Sequence, residues 1–147
     1  MVGESAASGG KVVYKVFISH APKDAPLARK IKDRIEEVGA EAWLDSVEPD
    51  FGAGFVQTIH DRLRKSDEVL VVATGQSVRN FWVNGEVGAA VALGKKIVPV
   101  MDHVELSDLP PVLHSADGVD VSNLDRYLAQ LISRIKAHQK DATPFTH

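Results

Sequence analysis

The sequence predicts a doubly wound α/β fold: a five-stranded parallel sheet with helices on both faces. Three observations predict it. Strand-like and helix-like runs alternate along the chain. The strand-like runs begin near residues 12, 40, 69 and 97, a spacing of ~28 residues that suits a βαβ crossover. The third and fourth runs are almost continuously apolar, as strands are when helices cover both faces of a parallel sheet.

The first strand is the β-rich run Val12-Val13-Tyr14-Lys15-Val16-Phe17-Ile18. Leu27, Ile31, Ile35 and Val38 then recur every three or four residues, the period of a helix with one buried face. Asp24 and Pro26 fit its first turn, and Gly39 stops it. A shorter strand, Ala40 to Leu44, leads into the loop Asp45 to Ala53. The next helix, Gly54 to Lys65, carries Phe55, Ile59 and Leu63. Val69 to Ala73 form the third strand. A polar loop and a helix containing Trp82 and Glu86 follow, with Val83, Val87, Ala90 and Val91 as its core stripe and Gly94 as its end. Ile97 to Met101 is the fourth strand. A weak strand near Gly118 to Val121 and a strong helix with Leu124, Leu128, Leu131, Ile132 and Ile135 complete the series.

The chain has 147 residues, enough for one domain and one core. With 44% hydrophobic and 25% charged residues it reads as an ordinary globular protein. The formal net charge of −3 offers no basic footprint for nucleic acid and no polybasic patch for a lipid surface. The absence of cysteine excludes disulfides, thiolate metal sites and thiol catalysis, and suits a reducing, cytoplasmic compartment. The longest apolar runs, about five residues, fall far short of a membrane span. Residues 1–10 are small and polar and read as a flexible leader rather than a secretory signal. Residues 11–139 form the domain, and 140–147 a flexible tail.

The strand C-termini exclude the common occupants of such a fold. Ser19-His20 and Thr74-Gly75 stand where a receiver domain needs acidic residues and a phosphoacceptor aspartate. Ser19 to Asp24 holds no glycine, so the dinucleotide fingerprint G-x-G-x-x-G is missing after the first strand. Phe51-Gly52-Ala53-Gly54 lacks the third glycine and follows a loop. There is no Walker lysine and no nucleophile elbow. The six histidines are scattered, with no i, i+4 pair, so no metal site is expected.

What remains is a set of ordered motifs. Tyr14-Lys15-Val16-Phe17-Ile18-Ser19-His20 resembles the opening "DVFISY/H" box of Toll/interleukin receptor (TIR) domains. Gly39 to Asp45, with Trp43 and Asp45, is similar to their second strand ending in "W/F-x-D". Pro49 to Gly54 stands where these domains carry the BB loop, and Ser66 to Val72 matches their third strand. Phe81-Trp82-Val83-Asn84-Gly85-Glu86 resembles "S-x-W-x-x-x-E", and Gly94 to Val100 resembles "GK-x-I-(I/V)-P-(I/V)". Six motifs in order, over residues 12 to about 138, are specific where each alone is common. The chain departs from the pattern at Thr74, where a serine is more usual, and at Phe81, where a polar residue precedes the tryptophan.

The resemblance implies a flavodoxin-like TIR fold and one of two activities. Many bacterial, plant and axon-degeneration TIR domains cleave NAD⁺, releasing nicotinamide and giving ADP-ribose or a cyclic isomer. Many animal receptor and adaptor TIR domains are instead non-catalytic and work by TIR–TIR association. The enzymes carry a glutamate at the position matched by Glu86, which makes Glu86 the expected catalytic residue, beside the core stripe and facing away from it. NAD⁺ would be the substrate, with no separate cofactor. Trp82, one turn earlier, would pack against ribose or nicotinamide, or serve as core filler. Ser19 and His20, at the crevice rim, are candidate substrate contacts; for His20 the alternative is a surface histidine. Asp45 is a further candidate or a turn-forming residue, and Phe51 a loop anchor over the site or a self-association contact. Trp43 is expected in the core, and Lys95 and Lys96 as charge complements at a helix end. The implied partners are other TIR domains and a sensor or effector protein of the same bacterial defence system.

Overall fold

The structure, a computed structural model, describes residues 13–44 and 53–141, with side chains in the second span from residue 58 onward. Its strands are β1 (Lys15–Ser19), β2 (Glu41–Leu44), β3 (Glu68–Ala73), β4 (Lys96–Met101) and β5 (Val119–Asp120). Its helices are α1 (Ala25–Glu37), α2 (Ala53–Lys65), α3 (Phe81–Ala92) and α4 (Leu124–Asp141). The strands pair in parallel in the order β2-β1-β3-β4-β5. That is the expected doubly wound, flavodoxin-like sheet.

Alternation along the strands builds two cores. Val16, Ile18, Leu70, Val72, Val98 and Val100 point to one face, where Ala28, Ile31 and Ile35 of α1 and Leu128 and Leu131 of α4 cover them. Phe17, Val69, Val71 and Ala73 point to the other, under Ile59 and Leu63 of α2 and Val83, Val87 and Ala90 of α3. Phe55 lies outside the described side chains. Val91, expected in the α3 stripe, is exposed instead. The helix carries apolar or small residues all round, so its periodicity does not single out one face.

Gly39 and Gly94 adopt φ of +105° and +71°, the left-handed conformation that ends α1 and α3 without a Cβ clash. Pro99 is tolerated within β4 because β5 pairs only with Val100 and Met101, so no ladder partner on that side needs an N–H from the proline. The link from β4 to β5 contains short 3-10 turns, Leu106–Asp108 and Pro111–Leu113, in place of a full helix.

At the start of β3, the wholly buried Glu68 collects four donors. Tyr14 and Tyr127 each donate at 2.6 Å, and Arg134 donates from Nε at 2.7 Å and Nη2 at 3.1 Å. A buried carboxylate is tolerated only when its lone pairs are filled in this way. The network ties α4 to the sheet at the end opposite the crevice described below. Trp43 is half-buried and packs against the second core from its margin; its indole N–H donates to Glu41 at 2.9 Å, and the Arg62 guanidinium lies 5.8 Å from its ring centre. Lys95 caps a helix other than its own, donating to the carbonyls of Arg64 and Ser66 at 2.7 Å each, at the C-terminal end of α2.

Candidate active site

A sheet of this order reverses direction between β1 and β3, and the reversal opens a crevice at the carboxyl ends of those strands. Ser19 closes β1 and Ala73 closes β3, so the residues that follow form its floor. Thr74 braces that floor: its hydroxyl donates to Asp24 at 2.7 Å and accepts from the backbone of Gln76 and Ser77, while its own N–H donates to Ser77 Oγ at 2.8 Å. Asp24 was expected in the first turn of α1. It occupies the cap position but spends its carboxylate on Thr74, across 50 residues of sequence. The threonine that departs from the family pattern thus ties the turn after β1 to the loop after β3.

Asn80 begins α3, its side chain accepting from the N–H of Val83 at 2.9 Å. This cap, unrecognised in the sequence reading, fixes the helix start and hence the direction of every side chain after it. Glu86 does not face away from the packed side. It is 4% exposed, next to Val83, Val87 and Ala90 at helical spacing. Its Oε1 accepts from Ser19 Oγ at 2.6 Å, a length typical of an O–H donated to a charged carboxylate. Ser19 is itself fully buried. The two residues are 67 positions apart, and the crossover brings them together.

Glu86 also lines a cleft of about 220 Å³ between α2 and α3. Ile59, His60 and Leu63 form one wall, and Trp82, Gly85 and Ala89 stand with Glu86 on the other, with Phe81 at the end. A carboxylate in a mostly apolar cleft has little competing water, so its field acts on whatever enters. Trp82 is half-buried; it packs on the second core and also lines the cleft.

The other candidates part company. His20 is buried rather than at the surface, and its Nδ1 lies 2.7 Å from the carbonyl oxygen of Ala21. A carbonyl only accepts, so Nδ1 carries a proton and donates to it. Its ring is not part of the cleft wall. Asp45 and Phe51, with Pro49, lie outside the described residues. No group of three or more His, Asp or Glu among the described residues is placed to hold a metal ion. No described helix is long and apolar enough to cross a membrane.

Comparisons with known proteins converge on one family. A 2' cyclic ADP-D-ribose synthase, AbTIR, of Acinetobacter baumannii is 28% identical over 101 residues, which is 65% of this chain and 38% of that protein; the match thus spans well under half of the relative. A metazoan TIR-STING receptor from C. gigas, solved in complex with 2',3'-cGAMP, superposes with a TM-score of 0.65 at 29% identity, over 82% of this chain and 40% of that one. The TIR domain of the Toll-related receptor TRR-2 from Hydra magnipapillata superposes with a TM-score of 0.63 at 21% identity, over 82% of this chain and 99% of that one, a likeness of fold. Residues 16–135 match the family description "TIR domain", and with the sheet order and the Trp82–Glu86 helix in place, this chain belongs to the TIR domain family.

Proposed function

We propose that this chain is an NAD⁺ nucleosidase that breaks the bond between nicotinamide and ribose, giving nicotinamide and either ADP-ribose or a cyclic isomer. One observation carries the reading: the buried carboxylate of Glu86, held by Ser19, on the wall of a cleft that also contains Trp82. The relation to a cyclic ADP-D-ribose synthase supports it.

In the reaction, the carbon–nitrogen bond breaks and its electron pair goes to the ring nitrogen. Neutral nicotinamide leaves, and positive charge develops on the ribose. Glu86 stabilises that charge and orients the ribose hydroxyls. At ~4 Å and an effective dielectric of ~20, the attraction amounts to about 4 kcal/mol. If expressed only in the transition state, that is on the order of 10³ in rate. Water then adds to the same carbon, losing one proton to solvent, and yields ADP-ribose; attack by the substrate's own adenine yields a cyclic product. The chemistry needs neither a metal nor a covalent nucleophile. Ser19 fixes the carboxylate, and Trp82 packs against the ribose or the departing ring.

The natural setting of this activity is bacterial immune or stress signalling in the cytoplasm. Its partners there are other TIR domains, by self-association, and a sensor or effector protein of the same system. Purified protein incubated with NAD⁺ is expected to release nicotinamide, and Glu86→Gln to lower the rate about 10³-fold. An unchanged rate in Glu86→Gln refutes the role given to Glu86. A second reading, a non-catalytic interaction module, is favoured by Phe81, whose ring is 90% exposed. It predicts no nicotinamide release at any protein concentration.

A further inference from the structure

We infer that Phe81 is the stacking platform for the base that stays with the product, the adenine of the dinucleotide, and so sets substrate specificity at the cleft. The inference rests on the reading of Glu86 as the group that faces the reacting ribose. Phe81 is the most exposed of the large apolar side chains among the described residues and belongs to neither core cluster. Packing therefore gives no reason for a phenylalanine there. Yet its ring lines the cleft that contains Trp82 and Glu86.

Size decides what reaches it. Pockets that enclose a drug-sized ligand measure roughly 300–1,000 Å³. A cleft of about 220 Å³ accepts only one end of a dinucleotide, a ring with its ribose. The remainder must lie across the rim. Five residues separate Phe81 from Glu86, roughly 7–8 Å along the helix axis. A ring bonded to the reacting carbon stays inside the cleft, so the ring that meets Phe81 is the distal one. Gly85 stands one turn above Phe81 and projects no side chain, and a Cβ placed there would meet nothing within 4 Å. Phe81 itself is 90% exposed, so its ring is open to a flat ligand. Bases stack on aromatic side chains with modest, sequence-tolerant strength, enough to change affinity about tenfold.

The test is a set of ligand titrations followed by NMR. The full chain carries Glu86→Gln to prevent turnover, and the probes are NAD⁺, AMP and nicotinamide mononucleotide. Adding Phe81→Ala is expected to weaken NAD⁺ and AMP about tenfold, to leave nicotinamide mononucleotide within twofold, and Phe81→Tyr to restore both. Equal weakening of all three probes, or of none, overturns the inference. So does a change of sedimentation behaviour with unchanged affinities, which places the ring at a contact between copies. Turnover is assayed separately on the native chain. Absence of nicotinamide release there sinks the nucleosidase reading, whereas the three affinities judge Phe81, so the two failures are told apart.

Discussion

Replacing Ser19 by alanine removes one oxygen atom and is the sharpest probe of how the Glu86 carboxylate, proposed as catalytic, is held. Ser19 Oγ lies 2.6 Å from Glu86 Oε1, and both residues are buried, so bulk water does not easily take the place of the lost donor. A hydrogen bond to a charged group is worth about 1.5–3 kcal/mol. If all of it serves to fix Glu86 against the developing positive charge, kcat/KM falls about 10- to 150-fold. The loss should lie mainly in kcat, because a misplaced carboxylate fails the transition state more than the bound substrate. The same change is expected to lower the melting temperature by about 3–12 °C for a chain of this size. Nicotinamide release is therefore measured well below the variant's melting point, across substrate concentrations, beside a circular-dichroism melt. A folded Ser19→Ala protein with kcat within twofold of the parent refutes the positioning role. A loss confined to KM assigns Ser19 to ground-state binding instead.

Glu68→Gln disturbs the network that ties α4 to the sheet and leaves the Arg134 guanidinium without its charge partner. Breaking a buried pair costs about 3–5 kcal/mol; Arg134 is 23% exposed and keeps some access to water, which favours the lower end. A fall in melting temperature of about 6–12 °C is expected, with Glu86 and its cleft at the other end of the sheet unaffected. A change under 2 °C would remove Glu68 from the determinants of stability. The phenols of Tyr14 and Tyr127 are held above their ordinary range, chiefly by burial and then by the adjoining Glu68 carboxylate. Above pH ~10 the unfolded tyrosines release protons that the folded ones retain, so stability is level below that pH and declines as pH rises beyond it. Urea titrations from pH 8 to 11 should show the decline, and the double change Tyr14→Phe with Tyr127→Phe should flatten it. An equal decline in both proteins would trace the loss to other groups.

Local chemistry carried most of the architecture. Strand runs, helix periods and the stops at Gly39 and Gly94 depend on neighbours a few residues apart, so they were legible from the chain alone and reappear at nearly the expected places. The pairing of Trp82 with Glu86 belongs to the same class, since one helical turn fixes it. What sequence could not reveal was the environment of each charge. Glu86 read as lying beside the stripe because α3 is apolar or small on every side, and only packing against the sheet put its carboxylate inside, under Ser19. Asp24 turned its carboxylate to Thr74, Lys95 crossed to the end of α2, and Glu68 gathered donors from both ends of the chain. Each of these contacts joins residues far apart in sequence. Their partners are chosen by strand order and by the cost of leaving a buried polar atom unsatisfied, and that cost exists only once the chain has closed over it.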